Sequence, residues 1–151
     1  MKKSLLTLGL GVLASSSLFA QLPVSTTAEN KNVVLEEFTG IYCTFCPDGH
    51  LRATNLRAAN PGDVVLINIH AGSFAAPGGS DPDFRTTFGT AINNQAGVTG
   101  YPAGTINRRF FSAYSQSGTG TAMGRGDWTA AAGTILAESS YVNVALEGEL
   151  I

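Results

Sequence analysis

The sequence predicts an α/β fold in which a central mixed β-sheet is flanked by helices. The apolar stretch Val33–Phe38, the segment Cys43–Ala59 and the apolar stretch Val64–Ile69 follow one another at the spacing of a β-α-β unit. Two cysteines lie where the first strand passes into the helix, and further along a proline precedes another strand-like stretch. Together these observations indicate a domain over residues 33–139, with the first two strands as parallel neighbours.

The first twenty residues have the pattern of a secretory signal peptide. Lys2 and Lys3 form a positively charged N-terminal region, and residues 5–13 are mainly apolar. Ala20 is the small residue before the predicted cleavage site. The apolar run is too short to span a bilayer, so we expect no transmembrane segment after cleavage. Residues 21–32 are polar and are predicted to form a flexible leader.

The charge of the exported chain excludes one large class of partners. Removing Lys2 and Lys3 from the nine basic residues leaves seven against eleven acidic ones, a formal charge of −4. Such a chain is a poor match for the phosphate backbone, so we expect no nucleic-acid partner. Export also leads to compartments where disulfides persist. We expect a periplasmic, outer-membrane-associated or secreted protein.

The first half of the domain consists of two strands around one helix. Val33–Phe38 does not alternate strictly and is expected to be covered on both faces. The helix is predicted over Cys43–Ala59, and Asn60-Pro61-Gly62 ends it. Val64–Ile69 is the clearest candidate for a buried strand.

A loop and a second helix are predicted next. Glycines and a proline make Ala71–Ser80 a long mobile loop. Asp81 is expected to cap the following helix, with Pro82 in its first turn. Three apolar residues at intervals of four predict a core-facing stripe, formed by Phe84, Phe88 and Ile92.

The last part of the chain contains a strand, a loop, a helix and a further strand. Thr105–Phe111 is strand-like, and the Ser-, Thr- and Gly-rich segment Ser112–Gly126 is predicted to be a loop. Asp127 can cap a final helix over residues 128–138, with Trp128 in the core. The alternating segment 141–151 predicts a strand that begins a following β-rich domain, starting at about residue 140.

Cys43 and Cys46 are the residues best suited to carry chemistry. The start of a helix stabilises a thiolate, which favours a reactive Cys43. Cys46 lies one turn further on and is within reach to close a disulfide. This spacing favours thiol–disulfide exchange, in which one cysteine forms a mixed disulfide and the other resolves it. Such chemistry needs no cofactor.

The order of these elements resembles that of a thioredoxin-like domain. In that resemblance Cys43 and Cys46 form the redox pair. Pro102 takes the place of a cis-proline, and the backbone at Gly100 and Tyr101 would pair with an extended substrate.

The resemblance also gives Glu37 a role, because the residue matches the family's buried acidic position. Alternation along the strand places Glu37 on the same face as Leu35, so burial should raise the pKa of its carboxyl. It would then take the proton of Cys46. The sequence departs from the family pattern in having Glu rather than Asp here, and Tyr42 in place of the usual tryptophan.

A closer resemblance is to the thioredoxin-like proteins of the "outer membrane protein 28" family of Bacteroidetes-type bacteria. In that family a β-rich domain commonly follows the thioredoxin-like one. The expected partners are therefore protein thiols or disulfides of the cell envelope and a redox partner protein. Four motifs carry the resemblance: Glu37-Phe38-Thr39-Gly40, Cys43-x-x-Cys46-Pro47-x-Gly49-His50, His70-x-Gly72 and Gly100-Tyr101-Pro102.

Two other functions remain open at the level of the sequence. One is a binding module with an inert disulfide, which presents the loops Ala71–Ser80 and Ser112–Gly126. The other is a metal-handling module, whose ligands would be Cys43, Cys46 and His50, with His70 as a fourth. We otherwise interpret His50 as a hydrogen-bonded accessory residue and His70 as a loop anchor that can line the cysteine cleft. Pro47 excludes c-type haem attachment, which requires histidine there.

Overall fold

The computed structural model describes residues 24–146, which form an α/β fold with a four-stranded mixed sheet and three α-helices. This architecture confirms the predicted fold class and is compatible with a thioredoxin-like fold. The strands are β1 (Val33–Thr39), β2 (Val64–His70), β3 (Ala103–Ile106) and β4 (Met123–Gly124). The helices are α1 (Cys46–Ala59), α2 (Thr87–Ala96) and α3 (Trp128–Leu136), with a 3₁₀ turn at Ser73–Ala75. The predicted signal peptide lies outside the described residues.

The strands are ordered β2-β1-β3-β4 in the sheet. β1 and β2 are parallel, as the β-α-β pattern predicts, and pair from Val33 opposite Val64 to Thr39 opposite His70. β3 is antiparallel to β1, and β4 is antiparallel to β3. β4 lies inside the segment that the sequence predicts as a loop.

Alternation along β1 divides the core into two parts. Leu35 points to one face, where α1 and α3 cover it, and Phe38 points to the other face, where α2 covers it. Both side chains are fully buried. Trp128, at the start of α3, is 1% exposed, which confirms its predicted core position.

β2 is an edge strand, and one of its faces is partly uncovered. Val65 is 50% exposed and Ile67 is 43% exposed, although the sequence predicts this strand as fully buried. The cause is the position of α2, whose Gly89 packs against Ile69 near the end of the strand. The short helix does not cover the preceding residues of β2.

α2 begins later than the sequence predicts, and this moves two phenylalanines out of the core. Thr86 is the N-cap, and its Oγ1 accepts a 2.9 Å hydrogen bond from the Gly89 N–H. Asp83 accepts hydrogen bonds from both the backbone N–H and the guanidinium of Arg85 in the irregular segment before the helix. Phe84 is 53% exposed and Phe88 is 82% exposed, so their predicted core role is wrong. Of the predicted stripe, Ile92 packs against the core.

β3 ends at Ile106, five residues earlier than predicted. Asn107 and Arg108 have φ angles of 50° and 49°, in the left-handed region, which turns the chain away from the sheet. The Asn107 side chain then binds the start of β1: Oδ1 accepts from the Val34 N–H at 2.6 Å, and Nδ2 donates to the Asn32 carbonyl at 2.8 Å. A side chain therefore takes the place of a continued strand.

The segments on either side of the domain meet beside α3. The Lys31 N–H donates to the carbonyl of Glu138 at 2.9 Å, and the two side chains form an ion pair at 2.8 Å. Residues 141–146 form no strand, because no described strand lies beside them to supply a ladder. The rest of the predicted C-terminal strand, 147–151, lies outside the described residues.

Candidate functional site

Cys43 and Cys46 form a disulfide at the start of α1, with their Sγ atoms 2.07 Å apart. Cys46 is the first residue of the helix and Phe45 is its N-cap, so Cys43 lies in the turn between β1 and the helix. The predicted helix start at Cys43 is therefore three residues too early. The Cys46 N–H donates to the Cys43 carbonyl at 3.2 Å, which closes this turn. Cys43 is 7% exposed and Cys46 is 2% exposed.

Glu37 lies against the first turns of the same helix. It is 1% exposed, and its Oε1 has no hydrogen-bond partner among residues 24–146. A Cβ atom at Gly49 would lie 2.6 Å from this oxygen, so the glycine gives the carboxylate its room. Burial raises the pKa of Glu37, and the hydrogen bond and charge of His50 partly oppose the rise. The carboxylate of Glu37 thus lies against Gly49, which follows Cys46 by three positions along α1.

His50 is the hydrogen-bond partner of Glu37. Its Nδ1 lies 3.0 Å from Glu37 Oε2, and its Nε2 lies 3.4 Å from Thr39 Oγ1. The imidazole side chain is 42% exposed, whereas the Glu37 side chain is 2% exposed. His50 therefore connects a buried carboxylate with the surface. The sequence predicts a hydrogen-bonded histidine here but not its partner.

Pro102 approaches the same turn of α1 from β3. Its Cβ and Cγ atoms would lie 3.0 and 3.1 Å from a Cβ at Gly49. The Tyr101–Pro102 peptide bond is cis, as the resemblance implies. Gly49 is therefore the point where the first helix, the buried carboxylate and the proline loop meet. The sequence analysis notes Gly49 only as part of a motif.

Gln116 holds the backbone in front of this proline. Its Oε1 accepts from the Thr99 N–H at 3.1 Å, and its Nε2 donates to the Gly100 carbonyl at 3.3 Å. The sequence analysis missed Gln116, because it lies in a segment of loop composition and no spacing connects it to the proline. Within residues 24–146, the N–H and carbonyl of Tyr101 make no hydrogen bond.

The Tyr101 side chain is held by α2 and by the loop after β2. Its hydroxyl donates to Asn93 Oδ1 at 2.7 Å, and its ring meets Phe74 edge-on with centroids 5.9 Å apart. Gly72 has a φ angle of 71°, and a side chain at that position would collide with the Tyr101 hydroxyl. Burial raises the pKa of Tyr101.

Tyr42 connects the cysteine turn with the loop Ala71–Ser80. The Tyr42 N–H donates to the Phe74 carbonyl at 3.0 Å, and the Tyr42 hydroxyl accepts from the Gly78 N–H at 3.0 Å. This hydroxyl also donates to Asp81, which raises the pKa of Tyr42. The sequence predicts a mobile loop here, and the structure instead shows it hydrogen-bonded to the cysteine turn. Asp81 binds Tyr42 and does not cap a helix.

Aromatic side chains are exposed on both sides of the disulfide. Tyr42 is 49% exposed, Phe45 is 63% exposed and Phe74 is 45% exposed. The guanidinium of Arg125 lies over the Phe45 ring, 5.7 Å from its centroid, and also pairs with Asp48. The surface next to the cysteines therefore combines exposed aromatic rings with the Arg125–Asp48 ion pair.

His70 is separate from the Glu37–His50 pair. It ends β2 opposite Thr39, and its ring lies 5.2 Å from that of Phe84. Its Nδ1 is buried without a partner among the described residues. Within residues 24–146, no group of three or more His, Cys, Asp or Glu side chains converges as metal ligands would. Both sulfurs of the predicted metal set are in the disulfide, and His50 is bonded to Glu37.

The fold and the site define a class of protein: an α/β module, compatible with a thioredoxin-like fold, that carries a Cys-x-x-Cys disulfide consistent with a redox-type module. No family model matches the chain, and a search of curated proteins found no match either. None of the helices described between residues 24 and 146 is long and apolar enough to cross a membrane.

Proposed function

We propose that this protein is a thioredoxin-like thiol–disulfide oxidoreductase of the cell envelope, which exchanges disulfides with cysteines of other proteins. One observation carries the proposal. The Cys43–Cys46 disulfide begins the helix against which Glu37 is buried, and Gly49 brings the carboxylate to the first turns of that helix. A disulfide with only a structural role does not require a buried carboxyl group against the first turns of its helix.

In the proposed reaction the two cysteines pass two electrons to a substrate disulfide. The thiolate of Cys43 attacks one substrate sulfur, a mixed disulfide forms, and the first substrate thiolate leaves. Cys46 gives its proton to Glu37 and attacks Cys43 Sγ. The bond between Cys43 and the substrate breaks, the second thiolate leaves, and the Cys43–Cys46 disulfide forms. Run backward, the same steps oxidise a substrate dithiol.

The surroundings of each cysteine support these separate roles. Cys43 lies in the turn ahead of α1, where the positive end of the helix dipole favours a thiolate. Cys46 is more buried and lies on the helix that Glu37 faces. Both cysteines are buried, and Cys43 is the more accessible of the two, as suits the cysteine that meets the substrate first.

Gly100, Tyr101 and Pro102 are the proposed substrate-binding residues. Gln116 donates a hydrogen bond to the Gly100 carbonyl and thereby holds this backbone in place. The N–H and carbonyl of Tyr101, which make no hydrogen bond to the described residues, can pair with an extended chain, as an added strand does. The exposed rings of Tyr42 and Phe45 supply apolar contact area beside the cysteines. We therefore propose an unfolded or extended protein segment as the substrate.

We further propose that the protein is exported, to the periplasm, the outer membrane or the medium, and belongs to the "outer membrane protein 28" family. The pattern of residues 1–20 supports export, and the four motifs around the cysteines and Pro102 support the family. The partners would be protein thiols or disulfides of the envelope and a redox partner protein.

Trapping of mixed disulfides tests this function. In a bacterial host that exports the full chain, Cys46→Ser should accumulate disulfide-linked adducts of Cys43 with other proteins, because the resolving sulfur is absent. The adducts are detected as bands that a reductant removes on gels after acid quenching, and are identified by mass spectrometry.

Two matched variants serve as controls. Cys43→Ser should give far fewer adducts, and the double serine variant should give none. An adduct pattern for Cys46→Ser that equals that of the double variant would rule out the exchange reaction.

A further inference from the structure

The proposed reaction leaves one proton on a buried group. Glu37 receives it from Cys46, yet the Glu37 side chain is only 2% exposed, so very little of it meets solvent directly. A carboxyl group that kept this proton could not accept another in the next cycle. The site therefore needs a group that exchanges protons with both Glu37 and the solvent.

We propose that His50 is that group: a proton-transfer residue that carries the proton between Glu37 and water. This inference rests on the proposed function. The imidazole meets both requirements, because Nδ1 lies 3.0 Å from Glu37 Oε2 and the side chain is 42% exposed. Its second nitrogen lies 3.4 Å from the Thr39 hydroxyl, which fixes the orientation of the ring.

The two carboxyl oxygens of Glu37 have different surroundings. Oε1 has no partner among residues 24–146 and lies against Gly49 on the helix that begins with Cys46. Oε2 is bonded to His50. One side of the carboxyl group is thus open toward the helix of the cysteines, and the other side leads to the surface.

The proton balance is simple. Cys46 passes its S–H proton to Glu37 and becomes the attacking thiolate. Glu37 returns to the carboxylate by giving a proton to Nδ1, and the half-exposed imidazole then gives one proton to water. One proton moves from the thiol to the solvent, and in the reverse direction one returns. The electrons move only between sulfurs.

Other ionisable groups near this pair have partners of their own. On α1, Asp48 pairs with Arg52 at 2.9 Å, and Arg125 from the end of β4 also binds Asp48. On β1, Glu36 points to the opposite face and binds Arg108. At the end of β2, His70 packs against Phe84. Among the described residues, His50 is the side chain whose hydrogen bond and electrostatic effect lower the pKa of Glu37, against the rise that burial causes.

Single-turnover oxidation of the reduced full chain by oxidised glutathione separates the steps. Cys43 first forms a mixed disulfide with glutathione, and Cys46 then resolves it with release of the second glutathione thiol. Acid quenching and mass spectrometry count both species. We expect His50→Ala to slow resolution at pH 7 by about tenfold, less than the roughly hundredfold or more that loss of a general base itself costs, because Glu37 is still present. Formation of the mixed disulfide should change much less.

Two readouts distinguish proton transfer from a structural role. Added imidazole should restore much of the resolution rate in His50→Ala, because the vacated position is open to solvent. The rate profile of the variant should also move to higher pH, since loss of His50 raises the pKa of Glu37 further and the carboxylate forms later.

His50→Gln and His70→Ala complete the design. Gln can keep a hydrogen bond to Glu37 but cannot accept and release a proton. The His50→Gln variant should therefore resolve the mixed disulfide as slowly as His50→Ala. A normal rate would show that His50 has only a structural role. His70→Ala removes the chain's other histidine and should leave resolution unchanged.

The outcomes separate this inference from the proposed function. If the mixed disulfide forms and His50→Ala resolves it at the normal rate and pH, the proton-transfer role of His50 is wrong, whereas the proposed oxidoreductase function is unaffected. If no mixed disulfide forms at all, the proposed function itself fails.

Discussion

Glu37 and Glu36 are neighbours in sequence whose carboxyl groups have opposite effects on the fold. Glu37 is buried with one oxygen unpaired among the described residues. Glu36 lies on the other face and accepts a 2.7 Å hydrogen bond from Arg108 Nε. Ionisation of Glu37 is therefore a cost to stability, whereas ionisation of Glu36 makes an ion pair.

Glu37→Gln should raise the free energy of unfolding at neutral pH. Because burial raises the pKa of Glu37 in the folded state, the folded chain holds this proton more tightly than the unfolded chain. The stability from the neutral carboxyl is present below pH 4.5 and is lost as the pH rises through the folded pKa. The gain from Gln should be about 1.4 kcal/mol for each unit by which the pKa is raised.

Urea unfolding of the oxidised protein between pH 4 and pH 8 measures this effect. The difference between Glu37→Gln and the unmodified chain should grow with pH. The matched variant Glu36→Gln should instead lower stability by about 1 kcal/mol, since it weakens the bond to Arg108. A Glu37→Gln variant that is less stable than the unmodified chain at pH 8 would contradict the assignment.

At the scale of single residues, the sequence predicts what a local pattern can decide. Alternation along β1 predicts the burial of Glu37, and the spacing predicts the disulfide of Cys43 and Cys46. The bond between Glu37 and His50 depends on how α1 lies across β1, and the bond of Gln116 to Gly100 depends on a loop. Those are tertiary contacts, which no periodicity encodes.

At the scale of elements, close packing rather than helix propensity explains why α1 has a glycine at position 49. Alanine is normally preferred to glycine in a helix interior by about 1 kcal/mol. In α1, however, a Cβ at position 49 would lie 2.6 Å from Glu37 Oε1 and 3.0 Å from Pro102 Cβ. Neither neighbour can move freely, because one is buried and the other is a ring on the adjoining loop.

Gly49→Ala should therefore destabilise the protein by about 1–3 kcal/mol, the usual cost of overpacking. The matched control is Gly133→Ala in α3, where no atom lies within 4 Å of the added Cβ. That control should be neutral or more stable by up to about 1 kcal/mol. Thermal unfolding of both variants under oxidising conditions provides the comparison. Equal stability of the two would show that the contact at position 49 relaxes without cost.

Element boundaries are where the sequence prediction is weakest. Both Asp81 and Thr86 are good N-cap residues, and the sequence does not show which one begins the helix. The bond of Asp81 to Tyr42 and the cap at Thr86 decide it in the structure. The two exposed phenylalanines follow from that choice, since a five-residue shift removes Phe84 from the helix altogether.

At the scale of the whole molecule, the sheet separates two cores that are unequally covered. Val33 on β1 is fully buried beneath α1 and α3, and Val65 on β2 is half exposed on the face that α2 covers only in part. The same substitution at the two positions therefore measures the difference between these faces.

Val33→Ala should lower the free energy of unfolding by about 2 kcal/mol or more, from lost burial and a cavity. Val65→Ala should cost less than about 1 kcal/mol, mainly from strand propensity. Guanidinium unfolding of each variant tests this contrast, with equal slopes required for a valid comparison. Similar losses at both positions would mean that another surface covers Val65 in solution.

The overall architecture was predictable because it depends on the order of elements. A strand, a helix and a strand at this spacing require a parallel pair, and the fold contains that pair. The edge position of β2 was not predictable, since an apolar run looks the same in a central strand and in a partly covered one. The two residues of β4 are too few to form a pattern.

The hydrogen bonds of Gln116 bear on how this chain can be engineered. The surrounding segment has the Gly-, Ser- and Thr-rich composition that usually marks a tolerant site for inserting a tag or opening new termini. Here the Gln116 side chain holds Thr99 and Gly100, and the Gln116 N–H donates to the Ala122 carbonyl at 2.8 Å. A fusion placed beside Gln116 would disturb the backbone in front of Pro102, so a reporter domain belongs elsewhere on the surface.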